Sequence, residues 1–233
     1  MHGLLRHLEA RGFDGAPRFL GVDDRGREIV TFIDGDVGAY PLPAYMWSDE
    51  VLDGAARLLR SLHDATLGYV ASDGAAWQFA DPDPTRHEVI CHNDVAPYNT
   101  VFVDGRPRAL IDFDTAGPGP RIWDVAYAAY TFVPLGSFVP RTDGRVVPYE
   151  PEQHAEERVR RLRLLGAAYD LPTDDLLPTV ARRLEALRAL LIARAEAGDD
   201  TYQGLIAEGH LDHYRREVAF VRRHAAEWQP SAG

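Results

Sequence analysis

Lysine is absent from the 233 residues; all 25 basic side chains are arginine. No role that needs a compact, flexible ammonium can be filled by these residues. Cysteine is almost absent too: Cys91 stands alone, which excludes a disulfide framework and fits a reducing compartment. No apolar run approaches the roughly 20 residues that cross a bilayer. The opening MHGLLRHLEARGF is a short amphipathic pattern with an acid in it, not a signal peptide. The expectation is a cytoplasmic protein with no membrane partner. A basic surface is also missing, and the net charge of −11 disfavours nonspecific nucleic-acid binding. That charge suits a cationic small molecule, and equally an ordinary acidic soluble protein. What is present, 45% hydrophobic and 26% charged residues, is a globular composition. The length allows one large domain or two small ones sharing a cleft.

GLLRHLEARGF (3–13) sets Leu4, Leu5 and Leu8 on one helical face, with Gly12 near the stop. PRFLGVDDRGREIVTFI reads as strand, DDRG turn and strand, and DGDVGAYPLP as a connector punctuated by glycine and proline. Ser48, followed by Asp49 and Glu50, is a helix start. Val51, Ala55, Leu58, Leu59 and Leu62 then recur at helical spacing to about residue 66. The stretch 71–87, rich in Asp and Pro, reads as loop. Next come the strand EVIC, the loop HNDVAPYN, the hairpin TVFV-DG-RPRALI, the loop TAGPGP and the helix RIWDVAYAAYTFV. Residues 151–228 read as mostly helical, with breaks near LPTD and AGDD.

The densest chemistry lies in ICHNDVAPYNTVFVDGRPRALIDFD (90–114). Asp-Gly at 104 and 105 is the strongest short hairpin signal. With those two as the turn, Val103 faces Arg106 and, counting back, Pro97 faces Asp112. Asn99 and Asp112 then share the open end of the hairpin, with Asp94 on the loop just before it. Pro107 permits a longer turn, which would move the register but not the end these residues occupy. Two carboxylates and an amide oxygen suit Mg²⁺, which keeps several waters and shares itself with substrate phosphates. Zn²⁺ is disfavoured because Cys91 and His92, adjacent on a strand, point apart. Singly, each residue has an ordinary reading: a turn-forming Asp or Asn, a small buried hydrophobe in Cys91, an orienting residue in His92.

HNDVAPYN (92–99), followed by IDFD (111–114), resembles the aminoglycoside phosphotransferase and choline kinase family, which shares the protein-kinase fold and its H-x-D-x-x-x-x-N catalytic loop. RIWDVAYAA is similar to that family's helix after the metal loop, and LLRSLHDA to the first helix of its larger lobe; the resemblance spans roughly residues 3–133. It implies an α+β, protein-kinase-like fold. A truncated small N-terminal lobe (1–36) would hold a helix and two strands, and a larger, mainly helical C-terminal lobe (37–233) the catalytic loop and metal-binding hairpin. It implies Asp94 as the catalytic aspartate, accepting or orienting the proton of an attacking hydroxyl, with His92 bracing the loop. Asn99 and Asp112 would hold Mg²⁺ against the phosphates of ATP or GTP. Asp114 reads as a residue behind the metal ligands or a further metal contact, or as a surface turn acid. Asp124 reads as a first-turn acid favoured by the helix dipole, or as a clamp on the loop's backbone amides. His63 reads as a packing residue. An adenine would meet backbone groups of the connector around Thr31, Phe32 and Ile33.

The family also covers the phosphates with a Gly-rich strand pair and a lysine on the next strand, steadied by a helix glutamate. Glu9 stands near that glutamate's place with no lysine to pair, and reads as a solvated acid. Two functions follow. One is Mg²⁺-dependent transfer of a nucleotide γ-phosphate to a hydroxyl of a small molecule, with amines among the candidates. The other is a kinase-fold binding or regulatory protein impaired in transfer. The substrate would lie between the metal site and the C-terminal helices. Asp199, Asp200, Glu208 and Asp212 are acids there that would draw an amine, or are solvated helix ends. An open strand edge on the small lobe is expected to be covered by a homodimer partner or a shielding element.

Overall fold

The structure, a computed structural model, describes residues 1–72, 76–141, 143 and 145–229. Helix α1 (His2–Ala10) buries Leu4, Leu5 and Leu8. Strands β1 (Phe19–Val22) and β2 (Glu28–Val30) pair antiparallel about a turn in which the Gly26 N–H donates to the Asp23 carbonyl. This hairpin leaves Leu20, Val22, Ile29 and Val30 exposed. The connector then forms a short strand, β3 (Asp36–Val37). Helix α2 (Asp49–Thr66) starts at Ser48, whose hydroxyl accepts the Val51 N–H, with Asp49 and Glu50 in its first turn. Its inner face buries Val51, Leu52, Ala55, Ala56, Leu59 and Leu62. Each buried leucine contributes roughly 1.5–3 kcal/mol. Of the loop read at 71–87, residues 73–75 lie outside the described residues, and Pro84–Arg86 make a single 3-10 turn.

Strand β4 (Val89–Cys91) leads into the polar loop, then come β5 (Thr100–Val103), β6 (Arg106–Leu110), β7 (Gly117–Gly119) and helix α3 (Arg121–Phe132). A small hairpin, β8 (Phe138–Pro140) with β9 (Val146–Pro148), precedes the helices α4 (Pro151–Tyr169), α5 (Leu176–Glu196), α6 (Asp200–Ala207) and α7 (His210–His224). Helix α2 packs on α4, α3 on α5, and α5 on α7. The main core, with Leu59, Phe102, Val125, Phe132, Leu165 and Leu184, lies among them. A second apolar cluster of Phe79, Val89, Cys91 and Trp123 sits apart from it. Among the described residues no helix is long and apolar enough to cross a membrane.

Three local readings need correction. The connector contributes β3, which pairs antiparallel with β5. The loop TAGPGP contains β7, antiparallel to β4 with Cys91 opposite Gly117 and Val89 opposite Gly119. Glycine and proline are poor strand formers, so this strand owes its existence to its partner. Glycine is required at 117, because a Cβ there would fall 1.8 Å from the Phe79 carbonyl oxygen. In the hairpin, Asp104 and Gly105 are both left-handed, at φ +50° and +73°, and Val103 does face Arg106. A bulge between Val101 and Phe102 then shifts the register by one, so that Val101 faces Ala109 and Thr100 faces Leu110. Asn99 accordingly meets Ile111, whose N–H donates to the Asn99 carbonyl at 2.9 Å.

Candidate active site

Strand β4, buried along its length, delivers residues 92–94 to the foot of α3. There the fully buried Asp124 accepts the His92 N–H at 2.7 Å and the Asn93 N–H at 2.9 Å, one on each carboxylate oxygen. Burial alone would push this carboxyl up. The hydrogen bond and charge of His63, then the charge and amide of His92, outweigh it and hold the group below the ordinary carboxylate value. His63, from α2, reaches Asp124 through Nε2 at 3.1 Å, and its Nδ1 meets the Tyr169 hydroxyl. His63 is therefore more than packing: it orients the clamp.

The His92 ring is wholly inside, Nε2 donating to the Ile111 carbonyl at 3.0 Å while Nδ1 accepts the Asp94 N–H at 3.3 Å. Both nitrogens are committed, so His92 ties the loop to the residue before Asp112 and has none to offer a substrate. Asn93 is left-handed at φ +67°. Its amide donates to the carbonyls of Thr115 and Phe79, and its own carbonyl accepts from the Arg183 guanidinium on α5. Arg183 is fully buried over the rings of Phe79, Tyr127 and Trp123, at 4.3, 4.8 and 5.6 Å from their centroids. Burial pushes its pKa down, opposed by neighbouring Tyr127 and the carboxylates Asp124 and Asp94.

The clamped loop presents Asp94. Its Oδ1 accepts the Tyr98 hydroxyl at 2.7 Å, and its Oδ2 accepts the Asn99 amide at 2.8 Å. The Asn99 NH₂ also donates to the Asp94 carbonyl at 3.1 Å, which leaves the Asn99 amide oxygen without a hydrogen-bond partner among the described residues. Asp112, left-handed at φ +62° and exposed, has no charge partner among them either. Asp94, Asp112 and Asp114 line one cavity of about 440 Å³, closed by Leu191 and Arg194 of α5, Tyr202 of α6 and Tyr214 of α7. The uncommitted oxygens of Asn99 and Asp112 are the hard donors that a magnesium ion takes, so the residues fit such a group. The buried trio His63, Cys91 and Asp124 brings three ligand atoms within 4.8 Å of one another. It does not suit a metal. Both imidazole nitrogens and both Asp124 oxygens carry hydrogen bonds, and the Cys91 thiol, its pKa pushed well up by burial, donates to the Pro120 carbonyl at 3.5 Å.

Other expected residues fall elsewhere. Thr31, Phe32 and Ile33 are not among those lining the Asp94 cavity. The Thr31 hydroxyl accepts the Arg18 N–H and the Thr31 N–H donates to the Arg18 carbonyl, closing the β1–β2 hairpin. Glu9 pairs with exposed Arg18 at 3.4 Å. Asp199 does line the cavity, bound to Arg194 at 2.7 Å. Asp200, Glu208 and Asp212 do not line it; Glu208 and Asp212 pair with His210 and Arg215. Sequence reasoning passed over Tyr98, Tyr127, Arg183 and Glu217. Only Tyr98, inside the loop motif, carried a local signal. The last forms a second cavity of about 500 Å³ with Tyr40, Trp47, Tyr130 and Tyr214. There the buried Glu217 carboxylate accepts from the Ser137 hydroxyl and N–H at 2.6 and 2.9 Å. Tyr98, Tyr127, His210 and Tyr214 line both cavities.

Asn99 is not among the residues lining the Asp94 cavity, though its backbone pairs with Ile111, the residue before Asp112. A clamped H-x-D loop, the hairpin that follows it and a helical lobe behind them make an α+β, protein-kinase-like fold. The resemblance read from the motifs holds: residues 34–143 match the model of the phosphotransferase enzyme family. Over 131 residues the chain is 41% identical to the trifolitoxin immunity protein of Rhizobium leguminosarum bv. trifolii, covering 54% of this chain. The matched region is 49% of that protein, so the chain spans about half the length of the curated relative it matches. Among solved structures, the GDP complex of aminoglycoside 2′-phosphotransferase-IIIa superposes with a TM-score of 0.55 at 13% identity, over 94% of this chain and 82% of that one. A choline/ethanolamine kinase family protein from Mesorhizobium loti gives 0.50 at 15% identity, over 95% and 82%. At these identities the structural likeness speaks for the fold.

Proposed function

We propose that the protein is a small-molecule phosphotransferase that moves the γ-phosphate of ATP or GTP to a hydroxyl of its acceptor. The observation that carries this reading is Asp94, fixed by donors on both oxygens at the edge of a cavity it shares with Asp112, with the Asn99 amide oxygen left uncommitted beside it. Asp94 orients the acceptor hydroxyl and takes its proton. Asn99 and Asp112 would hold Mg²⁺, which when bound supplies the positive charge that phosphoryl transfer needs. The Asp124 clamp and Arg183 keep the loop from relaxing as charge develops, and positioning is most of what a phosphotransferase contributes. The GDP complex of the structural relative supports a nucleotide co-substrate.

An amine-bearing acceptor is supported by the second cavity. Among the described residues its lining is largely aromatic and holds no arginine, and its buried Glu217 carboxylate accepts from the Ser137 hydroxyl and N–H, with the charge of buried Arg158 nearby. The test is incubation of the chain with γ-labelled ATP or GTP, Mg²⁺ and a panel of hydroxylated amines. Label must move to an acceptor in the wild type and stay on the nucleotide in Asp94→Ala. A second reading draws on the 41% identity to an immunity protein and on the absence of lysine from these residues: a kinase-fold protein that binds a toxic small molecule without phosphorylating it. Nucleotide-independent binding of an acceptor, with no transfer to any member of the panel, would decide for that reading.

A further inference from the structure

We propose that Tyr98 and Tyr127 form a hydrogen-bonded string that positions Asp94 for transfer. The inference deepens the phosphotransferase reading and rests on it. The Tyr98 hydroxyl donates to Asp94 Oδ1 at 2.7 Å, and the Tyr127 hydroxyl lies 3.1 Å from that of Tyr98. A phenol has one proton. Because the Tyr98 proton is committed to Asp94, Tyr127 is the donor to the Tyr98 oxygen. An ionised carboxylate only accepts hydrogen bonds, which fixes the direction of donation along the string.

Asn99 holds the opposite oxygen of Asp94 at 2.8 Å. With a fixed donor on each end, the carboxylate cannot turn in its plane, yet each oxygen retains a lone pair for an incoming hydroxyl. Both tyrosines line the Asp94 cavity and the aromatic cavity beside it, so an acceptor lodged in the second and reaching the first passes along them. In the transfer, the acceptor oxygen bonds to the γ-phosphorus as the bond from phosphorus to the bridging oxygen breaks. The nucleoside diphosphate leaves, and the acceptor's proton passes to Asp94. The tyrosines keep their own protons throughout. They are positioning residues, acting through Asp94.

The experiment compares wild type, Tyr98→Phe, Tyr127→Phe and the double variant in the labelled-nucleotide assay with Mg²⁺ and hydroxylated amines, with Asp94→Ala as the control. Tyr98→Phe removes a hydrogen bond to a carboxylate and should melt about 3–12 °C below wild type, and Tyr127→Phe about 1–6 °C below it, so all variants are assayed well under their melting temperatures. Loss of a hydrogen bond to a charged catalytic group should lower kcat about 10- to 100-fold in Tyr98→Phe, with KM for nucleotide unchanged. Tyr127→Phe should lower kcat less, and should add nothing in the Tyr98→Phe background, because it works through Tyr98. Wild-type kcat in Tyr98→Phe, or additive losses in the double variant, would overturn the string while leaving the transferase reading intact. A wild type that transfers no label overturns that reading, and the string with it.

Discussion

Replacing Asp124 with asparagine should weaken the whole protein, not only the loop it holds. The carboxylate is fully buried and receives three donors, the N–H groups of His92 and Asn93 and the His63 imidazole. Asparagine keeps the shape but turns one acceptor into an NH₂ group, which must then face a backbone N–H. One charge-assisted bond, worth about 1.5–3 kcal/mol, is lost, and a buried donor is left unpaired at about 1–3 kcal/mol more. The sum, about 2.5–6 kcal/mol, brackets the usual cost of about 3–5 kcal/mol for breaking one side of a buried charged network, which is the figure used below. For a chain of 233 residues each kcal/mol moves Tm by about 2–4 °C, so Asp124→Asn should melt about 6–20 °C lower. Circular dichroism melts read the loss, and hydrogen exchange locates it: the His92 and Asn93 amides should exchange faster than the α2 amides change. A variant melting within about 2 °C of wild type, with those two amides still protected, would refute the clamp as a source of stability.

The same carboxylate sets an acid limit. Its folded-state pKa lies below the ordinary 3.8. Its contribution is therefore whole above about pH 4 and is lost as pH falls through the lower folded value. Urea unfolding between about pH 5 and pH 2 should show a steeper acid loss in wild type than in Asp124→Asn; parallel slopes would contradict this. Asp112→Ala removes an exposed carboxylate with no charge partner among the described residues. Because Asp112 is left-handed, alanine there should lower Tm by about 2–4 °C, and it should weaken Mg²⁺-dependent nucleotide binding at least about tenfold by calorimetry, roughly 1.4 kcal/mol; unaltered affinity would remove Asp112 from the metal site. Gly117→Ala would put a methyl 1.8 Å from a backbone oxygen. It should cost about 1–3 kcal/mol as β4 and β7 part, and a wild-type melting curve would show that the two strands tolerate separation.

How legible was all this in the chain? The helix at 49–66 was, because its cap and its apolar spacing are properties of neighbouring residues. So was the Asp-Gly turn, whose two left-handed residues are a local demand. The grouping of Asp94, Asn99 and Asp112 on one loop and one hairpin was legible as well, because it is a matter of spacing along the chain. Strand β7 was not: Gly117–Gly119 has the composition of a turn, and only the presence of β4 makes it a strand. The bulge that moves Asn99 opposite Ile111 rather than Leu110 was hidden too, since it follows from the local fit of two strands.

By itself, the amino-acid order determined the short-range facts: where helices begin, where the hairpin turns, and which oxygens stand near one another on the loop. These depend on backbone preferences and periodicity over a few residues. Only the tertiary structure decided that His63 would meet Asp124 across 61 residues, that Arg183 would seize the Asn93 carbonyl across 90, and that Tyr127 would reach Tyr98 across 29. Such partners are chosen by how α2, α3 and α5 pack. Packing is a compromise among many weak contacts and leaves no mark at any single position.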